Sequence, residues 1–194
     1  MVIEEKNKMK NFNENQILTL NKFHENIGVP SRSIIKKPFS LFKRPPIKIN
    51  VYEDYPEKNM VSYITSGVSL YEFFVPEINA TIRQELILTL GIKWKDFKFE
   101  ELLYGVFYAM KKDNKPIYPQ EVIDISANKL VDGLPKEYHN FVADSGVWFS
   151  PDSLILNNNG VETIFVELLM VNEELGDLSL QNYQQFKKQY YLLE

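Results

Sequence analysis

The chain has 194 residues, of which 44% are hydrophobic and 25% charged, with no cysteine and a formal net charge of -4. That length suits one domain burying roughly 70% of its unfolded surface, without disulfide support. The missing cysteine excludes thiolate nucleophiles, disulfide frameworks and Cys-ligated zinc or iron–sulfur centres. Charge is unevenly spread: residues 1–50 carry ten Lys or Arg against four Glu, and residues 51–194 carry twelve against twenty-two acids. The first segment is therefore +6 and the second -10, a bias that serves solubility or a basic partner.

Glu4, Glu5, Lys6, Lys8 and Lys10 have no apolar run behind them, unlike a secretory signal. No stretch approaches the roughly 18 apolar residues of a membrane span. The expectation is a soluble cytoplasmic protein with no membrane partner. Residues 1–12 are expected to be frayed or disordered. Asn13 and Gln16 form a capping-box pattern that opens a helix presenting Ile17, Leu20, Phe23, His24 and Ile27 until Gly28 and Pro30 end it. From Val29 to Pro46 four prolines and a run of cations predict an extended loop or edge strand.

Ile47, Ile49 and Val51 alternate with Lys48, Asn50 and Tyr52, which predicts a strand with one buried face. Met60–Val68 reads as a second strand and Ile82–Leu90 as a third, with Ile82, Leu86, Leu88 and Leu90 on one side. The strands flanking Gly67 are expected to be antiparallel neighbours. Asp96 is a candidate N-cap for a helix whose apolar stripe is Phe99, Leu102, Leu103, Val106, Phe107 and Met110. Glu100 and Glu101 at its start and Lys111 and Lys112 at its end complement the helix dipole.

Residues 113–146 read as irregular with one short strand. Asn159-Gly160 is a two-residue hairpin turn joining Ser153–Leu156 to Val161–Val171, and the latter is apolar on both faces, as a central strand is. Asn172 caps a short helical turn expected to end at Gly176. Ser179 is expected to cap a last helix presenting Leu180, Tyr183, Phe186 and Tyr190. The sum is a single α+β domain, a mixed, mostly antiparallel sheet packed with helices.

Few residues suggest chemistry. His24 and His139 are the only histidines, and His139 near Asp144 and Ser145 lacks the Gly-x-Ser-x-Gly elbow that positions a serine nucleophile. Zinc, EF-hand and phosphate-loop patterns are absent, so no metal or cofactor is expected. Arg32, Lys36, Lys37, Lys43, Arg44 and Lys48, interleaved with Phe39 and Phe42, form a basic stripe. A pI near 5.4 favours a solvated edge over a nucleic-acid footprint. Glu85 and Glu167 are carboxylates inside apolar strands. Such groups either do acid/base work or are satisfied by Arg83, a backbone amide or a hydroxyl, and the second reading is favoured.

Thr65-Ser66-Gly67-Val68-Ser69 resembles the Thr-x-Gly-Leu-Ser segment of Suppressor-of-fused-like domains, with Val68 at the Leu position. Glu85-Leu86 and the block Glu167 to Leu175 are similar to that family's later strand and strand-to-helix segments. The resemblance covers roughly residues 13–190, placing the domain at 13–194. Animal members bind and restrain transcription factors, whereas compact bacterial members are similar to immunity proteins that neutralise a secreted toxin, often a nuclease. The resemblance implies a non-enzymatic protein whose partner is a cognate toxin, with no catalytic, cofactor or metal residues carried over and no direct nucleic-acid contact. Two other expectations stand beside it. One is a regulatory module that captures a peptide by strand addition; the other is a hydrolase centred on Glu85, Glu167 and His139, which requires those groups to converge.

Overall fold

A computed structural model describes residues 2–36, 47–124, 131–138, 140–158 and 160–193. Four helices and nine strands are assigned among them. The strands are β1 (Arg32–Lys36), β2 (Ile47–Glu53), β3 (Met60–Ser66), β4 (Phe73–Val75), β5 (Ala80–Gly91), β6 (Val122–Asp124), β7 (Asn140–Asp144), β8 (Ile155–Asn158) and β9 (Val161–Val171). The helices are α1 (Val2–Ile27), α2 (Phe99–Asp113), α3 (Glu173–Gln181) and α4 (Tyr183–Leu193).

All strands join one sheet of order β1-β2-β3-β5-β9-β7-β6, with β4 paired to β5 and β8 to β9. Every pairing is antiparallel except β5 with β9. The architecture is the expected α+β mixed sheet, and β9 is central as its two apolar faces required. β3 and β5 are antiparallel across the Gly67 turn. Residues 155–158 and 161–164 form a hairpin, with Gly160 at φ 82, but its first strand starts at Ile155 and not at Ser153, because Pro151–Leu154 is a 3-10 turn; Asn159 lies outside the described residues.

Period-2 alternation sorts the core into two layers. Ile49, Val51, Leu86, Leu88, Leu90, Leu168 and Met170 face α2 and its stripe of Phe99, Leu102, Leu103, Val106, Phe107 and Met110. On the opposite face, Leu20, Phe23 and Ile27 of α1 cover Tyr52, Ile64, Ile87 and Phe165. Beside them Leu175, Phe186 and Tyr190 of α3 and α4 cover Val142, Leu169 and Val171.

The two longest strands share a construction. β5 is lined on its outer side first by β4, at residues 80–82, and then by β3, at 87–91. β9 is lined first by β8, at 161–164, and then by β7, at 167–171. In each outer lane the chain bulges out between its two short strands, through residues 67–72 and 145–154.

Several expected details are corrected. Helix α1 begins at Val2, not at Asn13, because residues 2–12 contain no glycine or proline and continue the helix. β2 is buried on both faces, since Asn50 and Tyr52 are covered as well as Ile47, Ile49 and Val51. Asp96 caps nothing: Ile92–Trp94 forms a 3-10 turn, and Lys98 holds the N-cap position of α2 without a side-chain hydrogen bond. Residues 113–146 supply two strands, β6 and β7, rather than one.

Near the C-terminus Asn172 caps α3, its Oδ1 accepting from Leu175 N at 2.9 Å, but the helix runs through Gly176 to Gln181. Ser179 lies inside α3 and donates to Gly176 O; Asn182 instead accepts from Gln185 N at 3.1 Å and opens α4. Leu180 is 68% exposed, while Tyr183, Phe186 and Tyr190 pack as the stripe required.

Candidate functional site

Glu85 and Glu167 are 0% and 1% exposed. Alternation puts both on the face covered by α1, since Ile87 and Phe165 belong to that layer. Each carboxylate fills the break in its outer lane. Glu85 Oε1 accepts from Gly67 N (2.9 Å), Ser69 N (3.0 Å) and Ser69 Oγ (2.7 Å), and Oε2 from Thr65 Oγ1 (2.6 Å) and Val68 N (3.3 Å). Glu167 Oε2 accepts from Val147 N (2.7 Å) and Trp148 N (3.1 Å), and Oε1 from Phe149 N (3.0 Å). Where the strand ladder is interrupted, a carboxylate thus takes up the amides the bulge would otherwise bury unpaired.

Burial pushes both carboxyls above the usual range, opposed at Glu85 by Thr65, Ser69 and Gly67 and at Glu167 by the amides of 147–149. Asp144, directly opposite Glu167 in the ladder, adds to that rise. The expected satisfied-acid reading is the one the geometry realises, with backbone amides and hydroxyls as donors. Arg83 is not the partner. It donates to Ser69 O (2.7 Å) and to Glu72, clamping the same bulge from outside.

No acid/base pair is assembled from these groups. Both oxygens of each carboxylate already face donors, and neither glutamate lines any of the four clefts described. His139 lies outside the described residues. His24, 8% exposed on α1, shares a 2.8 Å hydrogen bond between Nδ1 and the Tyr52 hydroxyl. Burial, reinforced by Lys48, lowers its pKa to about 4. Among the described residues no three His, Asp or Glu side chains converge on a metal-sized space.

Sequence reasoning missed Gln16. Read as a cap, it is fully buried, and its Nε2 donates to Ser69 Oγ (2.9 Å) and Thr163 Oγ1 (2.8 Å), tying α1 to the Glu85 bulge and to β9. The signal was present: position 16 shares the helical stripe of Leu20 and Phe23. The basic stripe is only partly described. Arg32 stays exposed while its guanidinium donates to the Tyr63 hydroxyl (3.3 Å) and lies 3.8 Å from Glu100, and Lys37, Phe39, Phe42, Lys43 and Arg44 lie outside the described residues.

Several acids are paired: Asp144 with Lys187 (3.2 Å), Glu121 with Lys115 (3.2 Å) and Glu72 with Arg83. Glu173, Glu174 and Asp177 on α3 are exposed and make no ion pair among the described residues. No helix is long and apolar enough to cross a membrane among the described residues.

No family model matches this chain, and no curated protein matches it. Solved structures do. The Sufu-Fu complex superposes with a TM-score of 0.57 at 13% identity, over 86% of this chain and 78% of that one. A protein of Neisseria gonorrhoeae described as a Suppressor-of-fused homologue gives 0.54 at 14% identity, over 89% and 84%. Drosophila Suppressor of Fused gives 0.54 at 13% identity, over 84% of this chain but only 42% of that longer one. At these identities the likeness is one of fold, and the chain has a Suppressor-of-fused-like fold.

Proposed function

We propose that this protein is a cytoplasmic, non-enzymatic immunity protein whose domain, residues 13–194, binds and neutralises a cognate secreted toxin, such as a nuclease. The observation that carries the reading is the charge distribution on this fold: residues 51–194 hold twenty-two acids against twelve cations. Glu85 and Glu167 are consumed inside, yet Glu173, Glu174 and Asp177 stand exposed together on one short helix. An acidic surface steers a basic partner and sets its specificity, and nuclease–immunity pairs need only a standard interface of about 1,200–2,000 Å². A solved neighbour, Sufu, is itself seen in complex with a protein, Fu.

The test is co-expression with each toxin domain encoded beside this gene. Rescue of growth and co-purification as a salt-sensitive complex are expected. Failure of every adjacent toxin in both assays sinks the proposal.

A second reading rests on a different observation. Among the described residues β1 pairs only with β2, and its Ile35 is 60% exposed, so the strand offers an edge to which a linear peptide can add. Peptide binding that persists in high salt and is lost on placing proline in β1 would favour this mode over an acidic-face contact.

A further inference from the structure

β5 and β9 are the sheet's parallel neighbours, and the chain leaves their carboxyl ends toward opposite faces. After Gly91 it passes through Ile92–Trp94 to α2, which packs on Leu86, Leu88 and Leu90. After Val171 it enters α3, and α3 with α4 covers Leu169 and Val171 on the other side. Adjacent parallel strands whose helices diverge in this way leave a crevice outside their carboxyl ends, the usual place for a ligand in an open sheet.

Such a cavity is present here, of about 270 Å³. Trp94 and Tyr138 meet edge to face at 5.5 Å on one side. Met170, Leu175 and Tyr190, all nearly buried, complete the lining, so the surface the space presents is more polar than apolar. The polar contribution is one-signed. Lys93 is solvent-exposed with Nζ 5.6 Å from the Trp94 ring centroid, Asn172 spends its Oδ1 on the α3 cap and keeps its amide nitrogen as a donor, and no Asp or Glu lines the space.

We propose that this crevice binds a small aromatic carboxylate, its ring against the Trp94–Tyr138 pair and its charge at Lys93 and Asn172. The part-exposed Trp94 and Tyr138 rings offer an aromatic surface for a one- or two-ring body, and the polar remainder of the lining suits its charged end. The only formal charge in the lining is positive, so an anion is preferred over its neutral isostere. The cavity is close to the lower end of small-molecule sites, roughly 300 Å³, which excludes nucleotide-sized ligands. The site is independent of toxin binding, and its assay needs no toxin.

The chain has two tryptophans, so Trp148→Phe leaves Trp94 as sole reporter in the full-length protein. Naphthoate is expected to quench its fluorescence saturably at concentrations up to about millimolar, with one-to-one stoichiometry by calorimetry. Lys93→Ala is expected to weaken naphthoate about fivefold, as an exposed ion pair allows, while leaving the neutral naphthamide unchanged. Tyr138→Leu is expected to weaken both. Absence of saturable quenching, equal affinity for naphthoate and naphthamide, or binding indifferent to both substitutions overturns the proposal. Lys93 is exposed, so loss of folding does not obscure the result, and circular dichroism of Tyr138→Leu checks the second variant.

Discussion

Glu85 stands opposite Phe165 and Glu167 opposite Ile87, so the two buried carboxylates lie two residues apart in register on neighbouring parallel strands of one sheet face. Each reaches away from the other to its own bulge, sixteen to twenty residues earlier in the chain. The glutamates are therefore the fasteners of the two breaks in the outer lanes.

Glu85→Gln is expected to destabilise the protein by about 2–4 kcal/mol. A glutamine keeps the shape but turns one oxygen into a donor. Either orientation sets that donor against a main-chain N–H, those of Gly67 and Ser69 on one side or that of Val68 on the other. Hydroxyls can rotate to accept; amides cannot. Glu72→Gln, at a side chain 55% exposed, should stay within about 0.5 kcal/mol. Urea denaturation of both variants measures the contrast, and similar values for the two would contradict the fastener role.

Stability should fall with acid because of His24, not because of the buried glutamates. Glu85 and Glu167 have folded pKa values raised above their unfolded ones, so their contribution is greatest below the unfolded carboxylate range and declines as pH rises. His24 runs the other way. With its folded pKa near 4 against 6.5 unfolded, it is held neutral, and stability is lost as pH drops from about 6.5 to 4. The loss attributable to it is about 3 kcal/mol. His24→Gln, which keeps a polar partner for Tyr52, should flatten that limb in denaturation series between pH 7 and 4. Parallel wild-type and variant curves would count against it.

Two glycines should respond oppositely to alanine. Gly176 lies inside α3 at helical φ, and an added Cβ would meet Asn140 Nδ2 at 3.7 Å and Val171 Cγ2 at 3.8 Å, which is ordinary contact. Gly176→Ala should therefore stabilise by about 0.5–1 kcal/mol through helix propensity. Gly28 ends α1 at φ +126 with open space around the missing Cβ. Gly28→Ala should destabilise by about 1 kcal/mol from backbone strain alone. Thermal melts of the pair separate conformation from crowding.

Those two positions also show what sequence reveals. Gly28 was legible as a helix stop because Pro30 follows and the apolar stripe ends at Ile27. Gly176 gives the same signal, but burial of Leu175 and Leu178 carries the helix past it. β9 was legible as central because Phe165, Val166, Leu168, Leu169, Met170 and Val171 put apolar side chains on both of its faces. Glu85 and Glu167 were legible as acids needing partners, while the partners were not: backbone amides occur at every residue and carry no label. The parallel pairing of β5 with β9 was likewise hidden, since alternation fixes faces and not neighbours. With it was hidden the crevice that brings together Trp94, Tyr138 and Tyr190.

Gln16 couples α1 to the Glu85 fastener, and its removal should loosen one element before the rest. Among the described side chains, the helix meets the body through the stripe of Gln16, Leu20, Phe23, His24 and Ile27. Phe23 stacks on Phe165 of β9 at 4.3 Å toward the C-terminal end of the helix, and Gln16 holds the preceding turns to Thr163 at the start of the same strand. Gln16→Ala removes two buried hydrogen bonds and leaves a void, a cost of about 2–3 kcal/mol. Hydrogen exchange should rise in α1 and in residues 67–70, and stay unchanged in 165–171, where the β5 and β7 ladders are intact. Because Ser69 Oγ both accepts from Gln16 and donates to Glu85, Gln16→Ala and Ser69→Ala should be non-additive by about 0.5–1.5 kcal/mol in a double-mutant cycle. Strict additivity would mean that helix and bulge are held independently, with Ser69 a bystander between them.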